Sequence, residues 1–273
     1  MTDVASKFID VGAFRTHYLE AGSGPTLVLL HSGEFGGCAE LTWEFNISEL
    51  AEHFHVLAPD WLGFGQTDKW FSFDDMWSAR VKHIAEFLKE KGVGRANFAG
   101  NSMGAGTLLS VAAQREPAWQ IDRLIAVNGG GRIPPDDDQN QQILSGYDGT
   151  REHMERLTRV IVRREDLRAD PHYVDRRQES ARRPGAWECT AAARFRAPFA
   201  VRGGREADYR AIRVPTLLAV GRDDPLRPPE FWPWLHSQIE GSTLQYIEGA
   251  GHCPQIDRPE EFNRIVIEFI KGA

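Results

Sequence analysis

The chain has 273 residues, 41% hydrophobic and 26% charged, with a formal net charge of −7. That length suffices for one large core with an insertion, and the negative balance argues against nucleic acid or an anionic membrane as a main partner. Cys38, Cys189 and Cys253 are too few for a disulfide framework and fit no zinc-binding spacing; no apolar run is long enough to span a bilayer and Met1–Lys7 lacks a signal-peptide pattern, so a cytosolic chain is expected.

In chain order, Phe8 to Glu20 reads as a hairpin turning near Gly12, and Thr26 to Leu30 as an apolar buried strand. A glycine-rich loop, His31-Ser32-Gly33-Glu34-Phe35-Gly36-Gly37, follows. A helix is predicted over Leu41 to Glu52, a strand over His55 to Ala58, and a helix over 75–91 with Trp77, Val81, Ile84 and Leu88 at helical spacing. Strand 95–99, helix 104–114 and strand Leu124 to Val127 continue the alternation. Past Asn128-Gly129-Gly130-Gly131 the pattern changes to a polar, arginine-rich, helical segment reaching about Arg210. Strand–helix alternation resumes at Thr216 and ends in a helix over Pro259 to Lys271, with Phe262, Ile265, Val266 and Phe269 inward. These elements predict an α/β fold: a core of residues 1–132 and 211–273, and a helical lid of 133–210 over its site. The lid's basic residues are all arginine, which suits a solvated surface for most of them and, for any facing the pocket, a carboxylate clamp.

Gly100-Asn101-Ser102-Met103-Gly104 is a G-x-S-x-G between a strand-like and a helix-forming run. In that context Ser102 occupies a tight strand-to-helix turn as a nucleophile, and Gly100 and Gly104 are small because the two backbones nearly touch. A serine needs a base and an orienting acid, in the chain order Ser, Asp or Glu, His. Val214 to Pro228 is an apolar strand ending in Asp223 and Asp224; Pro225 pushes the residue before it into an extended conformation, which selects Asp224 as the acid and leaves Asp223 to the turn. Among the histidines only His252 follows a strand in a glycine-rich loop, Gly249-Ala250-Gly251-His252, while His53, His55 and His83 read as strand-edge or helix-surface residues. The oxyanion donors expected are the backbone N–H of Met103 and that of Gly33.

The elbow, the Asp60-Trp61-Leu62-Gly63-Phe64-Gly65 loop and the loops at Gly221–Pro228 and Gly249–His252 resemble the α/β-hydrolase superfamily over nearly the whole chain. Within it, Asn101 before the serine, the stretch Arg177-Gln178-Glu179-Ser180-Ala181-Arg182 and the ending Glu261 to Phe269 are similar to the meta-cleavage-product hydrolases, which cut C–C bonds in dienoates from aromatic-ring degradation. The resemblance implies Ser102, Asp224 and His252 as the triad, Asn101, Arg177 and Cys253 as substrate-binding positions with Arg177 on a carboxylate, and no cofactor or metal. Three positions depart from that family: Cys253 stands where a tryptophan is usual, Phe45 where an asparagine is, and Glu34 brings a carboxylate into the oxyanion loop. The reading is a hydrolase of a small carboxylic acid, monomeric or homodimeric, cleaving C–C; the same triad on an ester or lactone is the alternative, and a non-catalytic receptor the third.

Overall fold

Strands with both faces apolar, such as Thr216–Gly221, must be covered on both sides. In the computed structural model, which describes residues 2–131, 138–195 and 207–272, they are. Eight strands, β1 (Ala5–Val11), β2 (Phe14–Ala21), β3 (Thr26–Leu30), β4 (His55–Pro59), β5 (Arg95–Asn101), β6 (Gln120–Val127), β7 (Thr216–Gly221) and β8 (Thr243–Ile247), form one sheet in the order β1-β2-β4-β3-β5-β6-β7-β8. The β1–β2 and β2–β4 pairs are antiparallel and the rest parallel. Because strand side chains alternate faces, Val28, Leu30, Phe98, Leu218 and Val220 enter one apolar layer. Leu27, Leu29, Ala99, Leu217 and Ala219 enter the other. The register pairs Leu30 with Gly100, Asn101 with Val127 and Gly221 with Ile247, so the carboxyl ends of β3, β5, β6, β7 and β8 open on one edge. Open parallel sheets build their sites there.

The helices are α1 (Ala39–Trp43), α2 (Ile47–Leu50), α3 (Met76–Glu90), α4 (Met103–Ala112), α5 (Gln139–Ser145), α6 (Arg151–Ile161), α7 (Glu165–Ala169), α8 (Pro171–Ala181), α9 (Ala186–Ala191), α10 (Phe231–Gln238), α11 (Pro254–Asp257) and α12 (Pro259–Lys271). Two sequence expectations need correction. The helix predicted over Leu41 to Glu52 is two short helices, α1 and α2. The buried Asn46 between them donates Nδ2 to Gln255 O at 3.0 Å and to Asn263 Oδ1 at 2.9 Å, which ties the break to α11 and α12. His83 is buried rather than on a helix surface, 4% exposed, with Nε2 2.8 Å from Thr16 Oγ1. Burial lowers its pKa to about 4, so it is neutral at physiological pH.

Helices α5 to α9 interrupt the alternation between β6 and β7. The lid boundary placed at 132/133 falls outside the described residues; that at 210/211 falls in a single turn of tight helix, Tyr209–Ala211. Thr150 caps α6 through His153 N, and Asp170 caps α8 ahead of Pro171. Met154, Leu157, Ile161, Tyr173 and Val174 form a small apolar core of the inserted helices, completed from below by Phe35, Leu226, Cys253 and Ile256. Phe35 follows Glu34, Cys253 follows His252 and Leu226 lies just past Asp224 in sequence, so the inserted helices rest on the site loops themselves. Among the described residues no helix is long and apolar enough to cross a membrane.

Candidate active site

The turn from β5 into α4 carries Ser102 at φ 53 and ψ −109, a backbone conformation that side-chain-bearing residues rarely adopt. It is held by Ser102 N–H donating to Val127 O at 2.9 Å and by Gly106 N–H donating to Ser102 O at 2.9 Å. The flanking glycines have a steric cause. A Cβ on Gly100 would lie 2.5 Å from Gly104 C and 2.7 Å from Ala105 N, and one on Gly104 would overlap Leu30 O. Strand, nucleophile and helix therefore close on one another with no room for a methyl group.

At the end of β7, Asp224 points inward with a side chain 1% exposed, and His252 Nδ1 lies 3.1 Å from its Oδ1 and 3.3 Å from its Oδ2. Leu226 N–H donates to Oδ1 at 3.0 Å and fixes the carboxylate's orientation. Asp223, with a side chain 42% exposed, turns away toward Arg163 Nε at 3.6 Å. Asn101 joins the elbow to the histidine: Nδ2 donates to His252 O at 3.1 Å and to Val127 O at 3.2 Å, and Cys253 Sγ lies 3.5 Å from Oδ1. Its amide is thereby spent on the protein itself. Cys253 is fully buried, and burial pushes its thiol pKa well up, so it is a neutral neighbour of His252.

Gly33 and Met103 come together on the other side of Ser102. A Cβ on Gly33 would sit 2.7 Å from Met103 Sδ and 3.0 Å from Met103 Cβ, so the loop after β3 lies directly against the residue after the serine. Arg177 is 1% exposed; Nη1 meets Glu34 Oε1 at 3.2 Å and Nη2 donates to Tyr173 OH at 2.9 Å. Burial favours the neutral acid at Glu34, but the Arg177 charge together with hydrogen bonds from Ser32 and the Glu34 backbone outweighs it and holds the carboxyl below its ordinary range. The position that the resemblance assigns to a substrate carboxylate is thus filled by a carboxylate of this chain.

Two positioning residues escaped the sequence reading. Asn128, at φ 43, donates Nδ2 to Gly251 O at 2.7 Å and accepts from Gly221 N–H at 3.0 Å, which clasps the aspartate and histidine loops together. The signal available was an asparagine ahead of three glycines at a strand end, since asparagine tolerates positive φ. Asp257 accepts from Gly251 N–H at 2.8 Å and, from the segment before α7, from Arg163 N–H at 2.7 Å and Arg164 N–H at 3.1 Å. Nothing local in the sequence marks that long-range role. Among the described residues no cluster of His, Cys, Asp or Glu could hold a metal ion.

The chain is similar to known proteins over nearly its whole length. A family profile described as "Alpha/beta hydrolase family" matches residues 27–265. The 2-hydroxy-6-oxo-6-(2'-aminophenyl)hexa-2,4-dienoic acid hydrolase of Metapseudomonas resinovorans is 30% identical, covering 97% of this chain and 90% of that protein. The 2-hydroxy-6-oxo-2,4-heptadienoate hydrolase of Pseudomonas putida is 29% identical, covering 97% and 95%. Among solved structures, a meta-cleavage product hydrolase of Pseudomonas fluorescens superimposes with a TM-score of 0.87 at 25% identity, covering 97% of each chain. The chain belongs to the α/β-hydrolase family, is a hydrolase, and within that family is similar to the hydrolases of meta-cleavage products.

Proposed function

We propose that this protein cleaves a C–C bond in a 2-hydroxy-6-oxo-dienoate-like ring-cleavage product. Ser102 is the nucleophile, His252 the base, Asp224 the group that orients it, and the backbone N–H groups of Gly33 and Met103 stabilise the oxyanion. Asp224 on Nδ1 sets the imidazole so that its other nitrogen serves the serine. The substrate first ketonises, which turns the carbon to be released into a stabilised leaving group. Ser102 attacks the distal carbonyl, the C–C bond breaks, and the departing carbanion is held as a dienolate and protonated. Water deprotonated by His252 then releases the acyl group as an acid. The observation that carries the C–C reading is the substrate class named for the relatives.

A second reading, hydrolysis of an ester or lactone by the same groups, is favoured by the Glu34–Arg177 pair, because an arginine already paired is not a vacant carboxylate site. The two are separated by kcat/KM on a yellow ring-cleavage dienoate against p-nitrophenyl esters. Preference for the dienoate supports the first reading; turnover of esters with no loss of dienoate colour moves the assignment to the second.

A further inference from the structure

Arg177 has its charge answered within the chain. Arg80, on α3, does not. Its Nε donates to Leu62 O at 3.2 Å, its Nη1 lies 3.5 Å from Met103 Sδ, and its guanidinium carbon stands 4.8 Å from the centre of the Phe64 ring. All three are neutral groups. Among the described residues no carboxylate pairs with it, and the ionisable group that acts on it is the Cys189 thiol of α9. Burial raises that thiol's pKa, so it carries no charge at neutral pH. Burial also pushes the Arg80 guanidinium down to about 10, as expected for a cation short of both water and a counter-ion. Lys69, the other cation of this corner, is spent on the carbonyls of Phe64, Gly65 and Thr67.

The location matters as much as the missing partner. Met103 follows the nucleophile, and its sulfur packs against both Gly33 and Arg80. Arg80 as a whole residue is half-buried, and its guanidinium lies beside the residue that follows the nucleophile. A guanidinium has five N–H donors in a planar fork, matched to a carboxylate, and here most of them have no acceptor of comparable strength. Retaining an unanswered cation against the oxyanion residues is unfavourable unless a bound anion offsets it.

We propose that Arg80 is a specificity-determining residue that receives the carboxylate of the substrate, in the corner between α3, the Trp61–Lys69 loop and α9, while Glu34 confines Arg177 to holding the inserted helices on the loop after β3. This deepens the hydrolase reading and rests on Ser102 being the nucleophile, but it holds equally for a dienoate or for an anionic ester.

The test uses competitive inhibition of p-nitrophenyl acetate hydrolysis by sorbate, an uncleavable dienoate, and by sorbamide, its neutral counterpart. For the wild type, Ki for sorbate is expected to be at least about tenfold below that for sorbamide, as a charge-assisted contact gives. Arg80→Gln should bring the two within about twofold, and Arg177→Gln, if folded by circular dichroism, should keep the preference. Arg80→Met, which fills the stem's volume, replaces the Gln variant if that one does not fold. Equal Ki values in the wild type overturn the proposal without any variant. So does a sorbate preference that survives at Arg80 variants, or one that disappears at Arg177→Gln instead. If Ser102→Ala still hydrolyses the acetate, the nucleophile assignment fails instead, and sorbate against sorbamide binding by calorimetry still decides the role of Arg80.

Discussion

Gly100→Ala tests the elbow geometry with one methyl group. The added Cβ would lie 2.5 Å from Gly104 C, 2.7 Å from Ala105 N and 2.8 Å from Gly104 O, all backbone atoms of α4, against ordinary contacts of 3.4–4 Å. Strand β5 and helix α4 must therefore part by about 1 Å, and no side chain can rotate to absorb it. Overpacking of this kind costs about 1–3 kcal/mol, with the upper end expected where backbone meets backbone. For a chain of this length that lowers Tm by roughly 2–5 °C. Ser102 lies between the two displaced segments, and a misplacement of about 1 Å at a reacting atom costs on the order of a hundredfold in rate. Thermal unfolding and kcat/KM on whichever substrate the wild type turns over are measured together, with Gly94→Ala as control, since a Cβ there meets nothing within 4 Å. Losses in both quantities for Gly100→Ala and in neither for Gly94→Ala are expected. A Gly100→Ala enzyme with wild-type Tm and wild-type turnover would refute the close-approach account of the elbow.

Asp224→Asn should lower kcat by orders of magnitude, about 10⁴ in the best-studied triad, because the amide favours the wrong imidazole tautomer; the exposed Asp223→Asn should leave kcat within a few-fold, and steady-state kinetics on the pair decides between them. Asn128→Ala would leave Gly251 O and Gly221 N–H unpaired and put alanine at φ 43, so urea unfolding should show a loss of about 2–4 kcal/mol. Glu20 is pushed by burial toward a higher pKa, but Lys7, His55 and Lys91 outweigh that and bring it down to about 2. A carboxylate whose folded pKa is depressed stabilises the fold above its unfolded value and loses that contribution as pH falls toward 2. Wild type should therefore lose on the order of 1–2 kcal/mol relative to Glu20→Gln between about pH 5 and pH 2, read from urea midpoints at each pH.

The parts legible in the sequence are those whose cause is local. Gly100, Ser102 and Gly104 carry the elbow in five residues because the steric demand is made by immediate neighbours. Pro225 separates Asp224 from Asp223 through its effect on one backbone angle, and in the structure Asp224 faces His252. The apolar runs of β3 and β7 announce burial on both faces. What was not legible depends on partners far along the chain. The break between α1 and α2 is set by Asn46 reaching Asn263, and helical spacing alone carries no trace of it. Arg177 looks like a vacant clamp until Glu34, 143 residues earlier, is found against it. Arg80 reads as one more polar residue of an amphipathic helix, and only the fold reveals Met103 beside it and, among the described residues, no carboxylate.

The central claim, serine-dependent C–C hydrolysis, is tested most directly by mixing a 2-hydroxy-6-oxo-dienoate with equimolar wild-type or Ser102→Ala protein. Loss of the yellow absorbance is followed and the products are identified by mass spectrometry. The account predicts that the wild type yields a carboxylic acid and a shorter 2-hydroxydienoate, with one oxygen from ¹⁸O-water in the acid, and that Ser102→Ala yields neither while still binding the substrate. Cleavage by Ser102→Ala at the wild-type rate would contradict it.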